Sequence, residues 1–270
     1  MATGSDTAFS GSIPEIYDQL LVPLIFEAYA DDLSKRVEKL KPRDVLEIAA
    51  GTGVVTRALA SRLPGSTRIV ATDLNGPMLA YAKLKLTDAP VEWRQADALN
   101  LPFDDGSCDV VVCQFGAMFF PARVKAFGEA RRVLRPGGHF IFNVWDRISE
   151  NEFADVVTAA LAERFPADPP RFMARIPHGY YDVERIRADL NAAGFMEIAT
   201  EAIDETSKAS SPRVPAVAYC QGTPLRAEIE SRDPFGLEDA TDDAARALAL
   251  RFGPNAIEGR IRGIVIEAQR

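Results

Sequence analysis

Three cysteines, Cys108, Cys113 and Cys220, and two histidines, His139 and His178, are all the cysteine and histidine that the 270-residue chain offers. They are too few and too irregularly spaced for a disulfide framework or a zinc-binding set, so no metal is expected and a reducing cytoplasm is the expected compartment. An excess of positive charge is also missing. Lys and Arg total 31 against 39 Asp and Glu, a formal net charge of -8, which opposes the phosphate-tracking surface that nucleic acid requires. Arg131, Arg132 and Arg135 make at most a local basic patch, and no nucleic-acid partner is expected. No apolar run approaches the roughly 20 residues that span a bilayer. Residues 1–12 are small and polar with no basic lead into an apolar segment, so neither a secretion signal nor a transit peptide is expected there.

What is present is ample core material, with 47% of residues apolar, arranged in an alternating pattern. From Pro14 to Leu40, Ile16, Leu20, Leu24, Ala28, Leu33, Val37 and Leu40 recur at helical spacing, with Ser12 and Pro14 suited to the first turn and an interruption expected at Pro23. Strands are expected at 43–48, 68–73, 91–96, 108–114 and 138–145, alternating with helices at 53–63, 76–87 and 121–134. Runs such as Asp109-Val110-Val111-Val112-Cys113 suit strands buried on both faces, so the fold class is α/β with a doubly wound parallel sheet. Beyond residue 150 the pattern loosens. Helices are expected at 150–165 and 182–193, the second stopped by Gly194, and strands at 195–204 and 259–268. About fifty residues between those strands hold five prolines and two or three helical patches, the clearest at Ala240–Phe252, and read as a helical insertion over 206–256. The chain thus divides into an N-terminal helical lid, 1–40, a core, 41–150, and a C-terminal part, 151–270, that completes the sheet.

The stretch Val45-Leu46-Glu47-Ile48-Ala49-Ala50-Gly51-Thr52-Gly53 joins an apolar strand to a helix through small residues. Such a turn lets backbone pass close to a ligand and aims free N–H groups at a carboxylate or phosphate. Asp73 ends the next strand 20 residues after Gly53, where a carboxylate can accept from two ribose hydroxyls. Asp97-Ala98 ends the third strand. Leu101-Pro102-Phe103-Asp104-Asp105-Gly106-Ser107 leads into the fourth, and Arg132-Val133-Leu134-Arg135-Pro136-Gly137-Gly138 turns into the fifth.

In this order and spacing the motifs resemble the class I S-adenosylmethionine-dependent methyltransferases, in the small-molecule branch of the ubiquinone and menaquinone biosynthesis enzymes. The resemblance runs motif by motif over 45–146. It implies a mostly parallel seven-stranded Rossmann-like sheet and S-adenosyl-L-methionine as cofactor. It further implies that Gly51, Thr52 and Gly53 cradle the methionine portion, with Glu47 holding the turn or meeting the ammonium group. Ala49 stands where the family usually has its first glycine. By the same resemblance Asp73 fixes the ribose, Leu74 and Met78 flank the adenine, Asp97 accepts its amino group, and Ala98 offers a backbone N–H. Gln114 contacts the methionine end, Tyr17 covers the sulfonium, and Phe119 and Phe120 line the acceptor pocket. Pro136-Gly137-Gly138 carries no chemistry.

Plainer readings stand beside these. Asp73 and Asp97 are also ordinary turn carboxylates, and Leu74, Met78, Tyr17, Phe119 and Phe120 are ordinary packing residues. Methyl transfer from a sulfonium needs positioning above all, and a base only where the acceptor must lose a proton. His178, in Ile176-Pro177-His178-Gly179-Tyr180-Tyr181, is the candidate base and pocket residue, or else a surface-loop histidine. His139 falls within a strand and reads as structural. A nicotinamide-dependent oxidoreductase is the first alternative, because Gly51-Thr52-Gly53 and Asp73 suit a dinucleotide fold, but Thr56 occupies the place of that fingerprint's third small residue. A non-catalytic cofactor-binding module is the second. The acceptor is open among quinone precursors, phenolic or polyketide metabolites, amines and phospholipid head groups, and both monomer and homodimer remain open.

Overall fold

The computed structural model describes Asp6, Phe9 and residues 11–270. It opens with α1 (Ile13–Ile16), which runs without a break through a π-helical stretch, Tyr17–Phe26, into α2 (Glu27–Leu40). The interruption expected at Pro23 is therefore a change of pitch. Proline removes an i→i−4 hydrogen bond and crowds the carbonyl four residues back, and the wider π winding accommodates both effects. Tyr29, Ala30, Leu33, Ser34 and Val37 form the buried stripe of α2, at the spacing that keeps one helical face against the sheet.

Strands and helices then alternate: β1 (Asp44–Glu47), α3 (Val54–Arg62), β2 (Arg68–Asp73), α4 (Gly76–Lys85), β3 (Val91–Gln95), β4 (Cys108–Gln114), α5 (Arg123–Val133) and β5 (Leu134–Trp145). After them come α6 (Glu152–Arg164), α7 (Phe172–Arg175), α8 (Val183–Ala192) and β6 (Glu197–Ala209), then α9 (Arg213–Gln221), α10 (Leu225–Arg232), α11 (Leu237–Phe252) and β7 (Ile257–Gln269). The seven strands form one sheet in the order β3-β2-β1-β4-β5-β7-β6. β1 to β5 are parallel, and β7 runs antiparallel between β5 and β6. This is the doubly wound, mostly parallel sheet expected from the sequence.

Side-chain alternation sorts the core onto the two faces. Leu46, Val70, Val111, Phe140 and Phe142 join one cluster, and Val45, Ile69, Val110, Val112 and Ile141 join α2 and α3 in the other. Each such burial stabilises by about 1.5–3 kcal/mol before chain entropy is counted. Strand order reverses between β1 and β4, so their carboxyl ends diverge and leave the crevice where open α/β sheets bind ligands.

Two boundaries differ from expectation. β5 begins at Leu134, because Leu134 pairs with Cys108 before a register shift, and Pro136-Gly137-Gly138 therefore lies inside the strand. β6 and β7 pair from Glu197↔Gln269 to Ala209↔Ile257, and this long ladder takes residues 206–209 from the start of the expected 206–256 insertion. Three helices, α9 to α11, remain between the strands. Among the described residues no helix is long and apolar enough to cross a membrane.

Candidate cofactor and acceptor site

A cavity of about 330 Å3 opens at the carboxyl ends of the strands, walled by the loops after β1, β2, β3 and β4 and roofed by Phe9 and Tyr17. The loop after β1 alternates left-handed residues, with Ala49 at φ 55°, Gly51 at 57° and Gly53 at 79°. Only glycine adopts this region without cost, so Ala49 carries about 1–2 kcal/mol of backbone strain. The loop remains tied to its neighbours: Ile48 N–H donates to Val112 O and Ala50 N–H to Thr72 O, each at 2.9 Å.

Asp73, at the end of β2, closes the polar side. Its Oδ2 accepts from Gly51 N–H at 2.8 Å and its Oδ1 from Asn75 N–H at 2.7 Å. Burial raises its carboxyl above the usual range, and the backbone N–H bonds oppose that rise. Leu74, 53% exposed, and the buried Met78 also line this side. Asp97 and Ala98 do so from the loop after β3, where Asp97 Oδ1 accepts from Leu99 N–H at 2.9 Å in an Asx turn.

The end of β4 supplies the inner wall. Gln114, 9% exposed, donates from Nε2 to Phe26 O at 3.2 Å, while its buried Oε1 has no partner among the described residues. A buried acceptor left unpaired is costly, and a ligand N–H or O–H at this wall would satisfy it. Phe115 follows at φ 47°, with its N–H 2.9 Å from Asn143 Oδ1 and its ring stacked on Trp145 at 3.7 Å. The outer wall is aromatic. Tyr17 stacks on Phe26 at 5.1 Å, Phe9 meets Tyr17 at 6.0 Å and Phe119 at 6.1 Å, and Phe120 and Pro121 complete the lining. Burial, and after it the Asp73 and Asp18 carboxylates, push the Tyr17 phenol well above its ordinary range.

Of the residues singled out from sequence, Tyr17, Ala49, Gly51, Asp73, Leu74, Met78, Asp97, Ala98, Gln114, Phe119 and Phe120 are brought together here. Glu47, Thr52, Gly53 and His178 are not on the wall. Glu47 is 1% exposed and accepts from Thr56 Oγ1 at 2.5 Å, which are the contacts of a group that holds the turn. Burial pushes its carboxyl up to about 8. Thr52 is buried behind the loop, its carbonyl accepting from Arg57 Nη1 at 2.6 Å. A Cβ on Gly53 would come within 2.9 Å of Trp93, so that glycine serves the packing of the loop against β3 and α4. His178 is 4% exposed, with Nδ1 2.8 Å from Asp146 O, and burial pushes its imidazole down to about 4. It packs beside Trp145, behind the wall, so the chain after α7 puts it neither in the acceptor pocket as the candidate base nor on a surface loop.

Asn75, Leu99, Phe115, Gly116 and Pro121 each lie within two residues of one singled out from sequence, whereas no spacing rule points to Phe9. Among the described residues no Lys, Arg, His or Cys lines the cavity. Among the described residues no cluster of three or more His, Cys, Asp or Glu is arranged to hold a metal ion.

Residues 46–142 match the family model described as a methyltransferase domain. The demethylmenaquinone methyltransferase of Thermus thermophilus is 43% identical over 102 residues, covering 37% of this chain and 46% of that protein. The ubiquinone/menaquinone biosynthesis C-methyltransferase UbiE of Idiomarina loihiensis is 30% identical over 57% of this chain and 66% of its own length. The chain thus spans about half to two thirds of these relatives. In fold it is similar to Haemonchus contortus phosphoethanolamine N-methyltransferase 2, a structure that holds S-adenosylhomocysteine, with a TM-score of 0.61 and 17% identity over 100% of this chain and 61% of that one. Residues 46–142 are thus matched as a methyltransferase domain, and the sheet that carries them has the Rossmann-like methyltransferase fold.

Proposed function

We propose that the protein transfers a methyl group from S-adenosylmethionine to a neutral, aromatic small molecule, of which a hydroxylated quinone precursor is the type. The observation that carries this reading is the division of one cavity into a hydrogen-bonding side and an aromatic side, with no cation on either among the described residues. Asp73 is the group suited to the ribose, Leu74 and Met78 to the adenine faces, and Asp97 with Ala98 to the adenine edge. The Gly51 backbone and the unpaired Gln114 Oε1 are suited to the methionine portion, whose ammonium donates hydrogen bonds. When bound, the cofactor supplies an electrophilic methyl group on a cationic sulfur.

The remaining work is positioning and exclusion of water, which Tyr17, Phe9, Phe119 and Phe120 perform as roof and outer wall. An anionic head group would meet no countercharge there. Among the described residues the wall also lacks an imidazole, thiol or amine to take a proton, and the Tyr17 phenol and the hydrogen-bonded Asp73 are poorly suited to the task. That favours an acceptor atom already nucleophilic, such as a ring carbon beside a hydroxyl group, which displaces the methyl group from sulfur and gives up its surplus proton to water afterwards. The name of the Idiomarina relative, a C-methyltransferase, agrees with this preference. All three cysteines are buried and unpaired, which supports a reducing cytoplasm as the working compartment.

Calorimetric titration with S-adenosylmethionine and, separately, NADH tests the cofactor. Micromolar binding of the former, lost in Asp73→Ala, is the expected result, and an acceptor screen then follows the mass gain of one methyl. Binding of NADH alone would overturn the reading.

A further inference from the structure

Two residues at the switch point sit in backbone conformations that suit the other. Ala49 is left-handed at φ 55°, where glycine is the comfortable residue. Gly116 lies at φ −99°, ψ −33°, ordinary right-handed backbone open to any L residue. Conformational freedom therefore does not explain the glycine at 116. Space does: a Cβ built there would lie 2.5 Å from Ala49 Cβ and 2.8 Å from Cys113 Sγ, well inside van der Waals contact. Both residues line the cavity, from the carboxyl ends of adjacent strands β1 and β4.

We infer that Gly116 is a positioning residue for the cofactor cradle: its missing side chain is the room in which the Ala49 methyl stands, and the loops after β1 and β4 are fitted to each other through this one contact. The two loops move together or not at all. A methyl on residue 116 pushes residue 49 away, and with it Gly51, whose N–H is held by Asp73. Removing the methyl at 49 makes room for one at 116 and leaves the β1 loop with glycine where its backbone is left-handed.

The test is a reciprocal exchange, read as the melting temperature without ligand and as the dissociation constant for S-adenosylhomocysteine, measured on folded protein well below the transition. The second readout rests on the proposed function and the first does not. Should the parent fail to bind S-adenosylhomocysteine, the cofactor reading falls while the melting temperatures still decide the pair. Gly116→Ala is expected to lower the melting temperature and weaken binding by about tenfold or more, as overpacking a close contact does. Ala49→Gly alone is expected not to lower the melting temperature, since it relieves left-handed strain. Adding Ala49→Gly to Gly116→Ala is expected to recover most of both losses. Gly116→Ala behaving as the parent would overturn the inference. So would an exchange variant no better than Gly116→Ala. A third arm, Cys113→Ala in the Gly116→Ala background, separates the two contacts, because recovery there and not with Ala49→Gly would assign the glycine to the thiol.

Discussion

The cavity has two walls built on opposite principles. On the hydrogen-bonding side, backbone does the shaping: alternating left-handed residues after β1 bring Gly51 N–H to Asp73, and Asp97 closes its own turn. On the aromatic side, side chains from distant elements meet: Phe9, Tyr17 and Phe119 pack edge to face, and Phe119 approaches Phe172 of α7 at 6.4 Å. A wall made from local turns carries its specification within a few consecutive residues. One assembled by tertiary packing spreads it along the chain, and so it tolerates change at one position better.

The largest expected contrast is in acid and base behaviour, since a buried titratable group stands behind each wall. Glu47, behind the first, is raised from 4.5 to about 8, so its contribution to stability is fully present below 4.5 and is lost as pH rises through 8. His178, beside Trp145 and behind the second, is lowered from 6.5 to about 4, so its contribution is present above 6.5 and is lost as pH falls through 4. Each window is worth roughly 3 kcal/mol or more, and between about 4.5 and 6.5 the two slopes oppose each other. Urea unfolding across this range should show Glu47→Gln gaining on the parent toward pH 8, and His178→Gln closing its deficit toward pH 4. Parallel curves for parent and variants would show that neither group is held as described.

Next in size is Asp73→Ala, which removes the acceptor for Gly51 N–H as well as a ligand contact. A loss of about 10- to 100-fold in cofactor affinity is expected by calorimetry, with acceptor affinity little changed. Phe119→Ala should do the reverse. The acceptor KM is expected to rise about tenfold while the cofactor dissociation constant stays within a factor of two, as loss of one aromatic contact predicts. Equal effects on both ligands in either variant would dissolve the distinction between the walls. The smallest effect is that of Ala49→Gly, which should raise unfolding stability by a few tenths to about 1 kcal/mol, because strain relief exceeds the entropy of an added glycine.

The same contrast explains what could be read in advance. Gly51, Asp73, Asp97 and Gln114 follow strands at fixed offsets, and alternation of apolar runs sets those strands, so that side of the cavity was legible. Phe9 obeys no offset rule, and its place depends on packing between distant segments. His178 was misplaced for a related reason: a histidine beside proline and glycine reads as a surface loop, while the fold buries it against Trp145 and the Asp146 carbonyl. Glu47 and Gly53 belong to the recognised motif, yet one serves Thr56 and the other makes room for Trp93. A motif thus marks a neighbourhood without saying which members face the ligand. The β6 and β7 ladder outran its expected ends because β6 is an edge strand. Its Glu201, Asp204 and Lys208 are exposed and give no apolar alternation to extend.

β7 is the last strand in chain order, yet it stands inside the sheet, between β5 and β6. During synthesis the outer edge of β5 stays bare, and β6 has no neighbour to pair with, until residues 257–269 have left the ribosome. For that interval the nascent chain displays two unfinished edges, one of them flanked by the apolar run Phe140-Ile141-Phe142, which makes this the period of greatest exposure to chaperones and to aggregation.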